Sequence, residues 1–473
     1  MNDLKQKRPE LSAGVPVRGW QIGFVIGFAV LAAASWIVSP QLTGTAILAG
    51  LSLSFFGLAL LRLFSIWRGP PPLDTGIDAT QSDVSVDASD SLPDYSVLVP
   101  LFREAGIARD LVSALEALDY PRAKLQVILI LEEADHATRR ALERIRLPDN
   151  FEIAVVPSGS PQTKPRALNY ALQQARGTFV TVYDAEDVPD PGQLRLAIAA
   201  FRTGPPHLAC VQARLSIYNT ASSWLTRQFA IEYSVLFDWL LPALQALGLP
   251  VPLGGTSNHF RKADLVAIGG WDPFNVTEDA DLGIRFARAG RVVQVLHSTT
   301  LEEAPHRLGA WRRQRTRWLK GWMQTYLVHT RQPLRLWRDL GAWRFCGLHL
   351  LMGGLIVSAL VHPWFYGLAA LSAWRGTLLQ LPSSLDGQIL WALGLFNLVF
   401  GYVTGVWLGM VAASHRQQPW LGLYALLMPV YWLLISFAAY WALFQFVWAP
   451  YFWEKTEHVA RSHGLESPNS GSG

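Results

Sequence analysis

The sequence predicts an α/β domain held between N-terminal and C-terminal membrane-spanning helices, and three observations predict it. From Trp20 to Leu61 no charged residue occurs. From Tyr95 onward, short apolar runs alternate with helical patterns. Beyond residue 345, long uncharged stretches return. Of the 473 residues only 16% are charged and 51% are hydrophobic, against about a quarter charged in an ordinary soluble protein.

The first uncharged run is long enough for two spans, each needing roughly 20 apolar residues, with Ser39-Pro40 as the turn. A cleaved signal peptide is the competing reading; the run is too long for one and lacks a cleavage site. Lys5, Lys7, Arg8 and Arg18 precede the run, and Arg62 and Arg68 follow it. The positive-inside rule therefore places the N-terminus and the central domain in the cytoplasm. Residues 1–69 form the tail and two spans, and the acidic, proline-flanked stretch 70–93 is a flexible linker. Residues 94–335 form the central domain with interfacial helices. Residues 336–455 form a C-terminal membrane region of three to four helices, and 456–473 a disordered tail. Arg416, Lys455 and Arg461 flank the last runs, and that charge parity favours four crossings after the domain.

Within the domain, 96–100, 125–131, 151–156 and 178–183 read as strands. Helices follow at 107–118, 136–146 and 165–176. That rhythm argues a parallel sheet with right-handed crossovers, whose ligands sit beyond the carboxyl ends of the strands. Glu132-Glu133 and Asp184-Ala-Glu-Asp187 occupy such ends.

A net charge of +4 without a long basic tract gives no reason to expect nucleic acid. Cys210 and Cys346 are too far apart for metal-ligand spacing. Asp184 and Glu186 suit a hard divalent cation bridging a diphosphate, or are simply a solvated turn. Thr277-Glu278-Asp279 is either a helix N-terminus or the seat of a general base. Gln314-Arg315-Thr-Arg317-Trp318 stands among Trp311, Trp322 and Tyr326 at helical spacing. It reads as an interfacial helix, or as arginines facing a departing diphosphate beside a sugar-stacking indole.

The order D-x-[DE]-D, then T-E-D, then Q-x-x-R-W, with spans on both sides, resembles the processive family 2 membrane glycosyltransferases. These are the cellulose, curdlan, mixed-linkage glucan and hyaluronan synthases, and the resemblance runs from Tyr95 to about Trp453. It implies a GT-A, Rossmann-like cytoplasmic domain that takes a nucleotide-sugar donor, UDP-glucose, with Mg²⁺ or Mn²⁺. The implied product is a β-linked polysaccharide, elongated by inversion and passed across the membrane. Transfer to a lipid carrier and a non-catalytic subunit are the alternatives.

On this resemblance Pro100, Glu104, Glu132, Lys164, Asp184, Arg315 and Arg317 contact the donor. Asp184 and Glu186 hold the metal, and Asp279, with Glu278, supplies the base. Gln314, Trp318, Gly255, Thr256 and His259 line the acceptor site. Two departures stand out. Glu132-Glu133 replaces the family's paired aspartates, with Asp135 as the substituting carboxylate, and Glu186 replaces a coordinating aspartate. No F-x-V-T-x-K stretch follows Trp318, which lowers cellulose among the products. Some twenty residues after the last apolar run leave cyclic-dinucleotide control to an accessory subunit. His349 and His362, inside one uncharged run, read as packed or channel-lining groups rather than proton relays.

Overall fold

The computed structural model describes residues 4–71 and 92–448. Most of the linker expected over 70–93, and the tail expected over 456–473, therefore lie outside the described residues. Helix α1 (Gly19–Val38) and α2 (Pro40–Arg68) are separated by Ser39 alone. The Ser39 hydroxyl accepts from Leu42 N at 3.4 Å, and Pro40 occupies the first helical position, where its missing N–H costs nothing. Both are long and apolar enough to cross a membrane.

The central sheet begins with β1 (Tyr95–Leu101), α3 (Ala108–Glu116), β2 (Leu125–Glu132), α4 (His136–Glu143), β3 (Phe151–Val156), α5 (Lys164–Leu172) and β4 (Phe179–Val182). β1 lies between β2 and β4, with β3 outside β2, and all four are parallel. β2 is buried at every position, as a strand covered on both faces must be. Alternate residues of β1 supply different cores: Val97 and Val99 face one, Leu98 the other.

The second half departs from the parallel pattern. It comprises β5 (Val188–Pro189), α6 (Gln193–Thr203), β6 (Leu208–Ile217), α7 (Trp224–Ser234), β7 (Asn258–Arg261), α8 (Glu278–Arg288) and β8 (Val292–Glu302). β7 runs antiparallel to β4 and β6, and β5 antiparallel to β8, giving the order β3-β2-β1-β4-β7-β6-β8-β5. The result is a mixed eight-stranded Rossmann-like sheet.

Three apolar helices follow the interfacial α9 (Leu308–His329): α10 (Pro333–Trp374), α11 (Leu385–His415) and α12 (Met428–Trp448). Among the described residues, one long helix stands between Arg416 and Trp448, giving three candidate crossings after the central domain, within the three to four helices expected. Arg416 does not merely mark a membrane face. Its guanidinium grips Asp238 at 2.5 and 3.0 Å and the Leu215 carbonyl at 2.9 Å, fastening α11 to the central domain.

Candidate active site

The strand ends and α9 converge on one continuous cavity of about 740 Å³. At its domain end stand Pro100, Glu104, Glu132, Lys164, Asp184 and Glu186; Glu278, Asp279 and Gly255 come next; Gln314, Arg315, Arg317 and Trp318 follow from α9. Of the sixteen residues implied for the site, all but Asp135, Thr256 and His259 face this cavity.

Those three exceptions have structural work that their sequence context hid. Asp135 caps α4, accepting from Thr138 N at 3.2 Å and Thr138 Oγ1 at 2.8 Å, and also from Arg103 N. Its carboxylate is thus committed to holding the turn after β1. Thr256 is fully buried; its hydroxyl donates to the Asp187 carboxylate and lies 3.3 Å from Asp184 N. His259, on β7, bridges Tyr95 Oη at 2.7 Å and Gln193 Oε1 at 3.2 Å in the core. Burial pushes its imidazole down to about 3, so it stays neutral. Thr256 and His259 brace the floor beneath the cavity instead of lining it.

The domain end carries opposed charges at short range. Lys164 Nζ, at the start of α5, lies 2.5 Å from Asp184 Oδ1 and 2.8 Å from the Gly255 carbonyl. Burial works against the ammonium, but Asp184 and Glu278 outweigh it and hold its pKa above that of a free lysine. Glu132 is paired at 3.7 Å with Arg166, and burial raises its pKa despite that arginine. Among the described residues no group of three or more His, Cys, Asp or Glu is gathered to hold a metal alone. Asp184 and Glu186 both face the cavity, a donor set fitting a cation that shares its remaining positions with substrate phosphates.

Thr277 occupies the N-cap position of α8, yet its hydroxyl makes no capping bond. Glu278 and Asp279 instead face the cavity. Burial, then the Asp279 charge, raises Glu278 to about 7, and burial raises Asp279 as well, against the pull of Lys164 and Arg317. A Cβ on Gly255 would lie 3.3 Å from Asp279 Oδ2, so the bare glycine leaves that oxygen room. Gly321 does the same for α9: a Cβ there would strike Thr277 Cγ2 at 2.4 Å.

The two arginines of α9 part company. Arg317 sits in the field of Glu278, Asp184, Asp279 and Glu186, although burial lowers its pKa. Arg315 is committed elsewhere, to both Glu232 oxygens at 2.7 and 2.6 Å and to Tyr431 Oη at 2.9 Å. It therefore couples α9 to α7 and α12. Trp318 is framed by Phe229, by Tyr233 in a stacked contact at 6.5 Å, and by the Arg315 guanidinium at 5.0 Å.

Beyond Trp318 the cavity continues between the membrane helices, past Arg62, His362, Tyr402, Asn397 and Trp432. Sequence reasoning marked Arg62 only for topology and missed Glu232, Tyr431, Trp432 and Glu302. The acid pair Glu302-Glu303 at the end of a strand was the available signal for the last. His362 lines the cavity and meets Tyr402 Oη at 2.7 Å. His349 is packed against Tyr326 Oη, also at 2.7 Å.

Residues 93–321 match the family model described as glycosyltransferase like family 2. That match covers slightly under half of the chain and, on this mixed sheet, supports a hexosyltransferase domain of GT-A fold. The chain is 26% identical to the probable glycosyltransferase YdaM of Bacillus subtilis over 315 residues, 64% of this chain and 72% of that one. It is 28% identical to the beta-monoglucosyldiacylglycerol synthase of Synechocystis sp. over 298 residues, 62% of this chain and 59% of that one. A solved structure of the mannosyltransferase PcManGT from Pyrobaculum calidifontis, in complex with GDP-Man and Mn²⁺, shares the fold. It superposes with a TM-score of 0.52 at 19% identity, over 85% of this chain and 99% of that one.

Proposed function

We propose that the chain polymerises a β-linked polysaccharide, a β-glucan, from UDP-glucose on the cytoplasmic face of a bacterial inner membrane, and feeds the product into the bilayer end of its own cavity. The observation that carries this reading is continuity. One cavity joins the donor end at Lys164 and Asp184, through Asp279 and Trp318, to the space between the membrane helices.

Asp279 takes the proton of the acceptor hydroxyl as its oxygen attacks the anomeric carbon from the face opposite the nucleotide. The bond from that carbon to the diphosphate oxygen breaks, UDP departs with the electron pair, and an α-linked donor gives a β-linkage. Pro100, Glu104, Glu132 and Lys164 seat the donor. Arg317 faces the charge developing on the diphosphate, the position at which fixed cations contribute most. Asp184 and Glu186 would hold Mg²⁺ or Mn²⁺, which when bound neutralises diphosphate charge. Trp318, framed by Phe229 and Tyr233, offers its indole to the terminal sugar of the acceptor.

A second reading, single transfer to a lipid, is favoured by the glucosyldiacylglycerol synthase relative and by the apolar walls of the membrane end, with Phe55, Phe365 and Leu398. The test measures UDP release by the protein in nanodiscs with Mg²⁺ or Mn²⁺ across several UDP-sugars, beside Asp279→Asn. A high-mass product that β-glucanase digests and the variant does not make is the expected result. A lipid-soluble monosaccharide adduct replaces this reading with the second.

A further inference from the structure

The residues ahead of the first span are not a loose tail. Leu4, Leu11, Ser12 and Ala13 are buried against the central domain. Ser12 Oγ donates to Asp272 Oδ1 at 2.9 Å, and Ala13 N donates to Asp272 Oδ2 at 2.5 Å. Arg331, just past α9, donates to the carbonyls of Ser12 at 2.7 Å and Val15 at 2.5 Å. Lys5 Nζ stands 4.6 Å over the Phe274 ring. The fit leaves no slack: a Cβ on Gly14 would meet Phe274 Cδ2 at 2.6 Å, and one on Gly269, at φ 94°, would meet Leu4 Cδ1 at 2.7 Å.

Asp272 opens the loop that delivers Glu278 and Asp279 to the cavity, and this loop is the junction of the site. Thr163, beside Lys164, donates to the Pro273 carbonyl at 2.9 Å. Asn275 Nδ2 donates to Thr325 Oγ1 of α9 at 2.8 Å, and Asn275 Oδ1 accepts from Thr277 N at 3.1 Å. Asp272 is fully buried. Among the described residues, Phe274 N is the third donor to its carboxylate, at 3.2 Å, beside Ser12 and Ala13. A buried carboxylate that loses two of three donors must protonate or move, and Asp272 cannot move without the loop.

We propose that residues 4–15 are a strap belonging to the catalytic centre, in which Ser12 and Ala13 act as positioning residues: they hold Asp272, and through it the loop that aims Asp279. The inference rests on the reading of Asp279 as the base. It ties the strand-end donor site, α9 and the entry to the first span to one carboxylate.

The test uses the full chain in nanodiscs, with UDP as the binding probe and UDP release as the turnover readout. Ser12→Ala, which removes one buried hydrogen bond, lowers kcat about tenfold, while Ser12→Thr restores it. Gly14→Val, which pushes Phe274, lowers kcat further, and UDP affinity stays within about twofold in all three. Turnover equal to wild type in Ser12→Ala and Gly14→Val overturns the strap, as does a kcat loss matched by an equal loss of UDP binding. Turnover retained by Asp279→Asn but lost by Ser12→Ala refutes the base assignment and leaves the strap standing. Asp279→Asn inactive beside fully active strap variants refutes the strap alone.

Discussion

The two ends of the cavity are built from different chemistry. At the domain end, Lys164, Asp184, Glu186, Glu278, Asp279, Glu302 and Arg317 crowd together; at the membrane end the lining is mostly aliphatic and aromatic, with Arg62 its one cation among the described residues. The boundary falls at Arg315, two residues from Arg317 but neutralised by Glu232 and braced by Tyr431 of α12. Ionisable side chains are concentrated at one end, and largely uncharged surfaces occupy the other. In this geometry Q-x-x-R-W is a hinge between them, with one arginine for each side.

Five perturbations would break or sharpen that division. The largest effect is expected from Asp279→Asn, which should lower kcat by roughly 10³-fold with UDP binding intact, measured as nucleotide release and by titration calorimetry. Next, Arg317→Gln should lower kcat about 10²-fold without changing thermal stability. Arg315→Gln should instead destabilise by about 1–3 kcal/mol, because Glu232 keeps no cation, and melting in detergent checks this. If both arginines affect turnover alone, the division is wrong.

At the membrane end, Gly405 lies against Trp432, where a Cβ would meet Cη2 at 2.7 Å. Gly405→Val should shorten the product, seen by size-exclusion chromatography, while initial UDP release stays within about twofold. The smallest expected effect concerns pH. Glu278 is raised to about 7 by burial and then by Asp279, and burial raises Asp279 too. A base must be deprotonated, so kcat/KM should rise with pH along a limb displaced above the ordinary carboxylate range. Arg317 favours the ionised carboxylates, so Arg317→Gln should move that limb to higher pH by less than about one unit. A limb that moves down instead would place Arg317 away from the base.

The parallel half of the sheet was legible because its strands are buried on both faces and read as unbroken apolar runs, β2 above all. The antiparallel half was not. Asn258–Arg261 is a four-residue strand with a histidine and two polar residues, and nothing local distinguishes it from a loop. The chemistry-bearing motifs were legible because they sit at chain positions fixed by strand ends and helix starts. The roles of Asp135, Thr256 and His259 were not, because whether a polar side chain faces a cavity or a core is decided by partners far along the chain. His259 finds Tyr95, 164 residues away. The same distance effect hid Glu232, whose arginine is 83 residues on.

The strap has a further consequence, in time. Val15 and Arg331 are 316 residues apart, so at about 5–20 residues per second the ribosome needs roughly a quarter of a minute to a minute to make the second after the first. Throughout that interval the first span can already be in the bilayer while Leu4 and Leu11 have no surface to bury against. The earliest-made contacts of the catalytic centre are thus among the last to close. A factor that shields this short apolar segment during synthesis would act on assembly of the enzyme without touching its finished form.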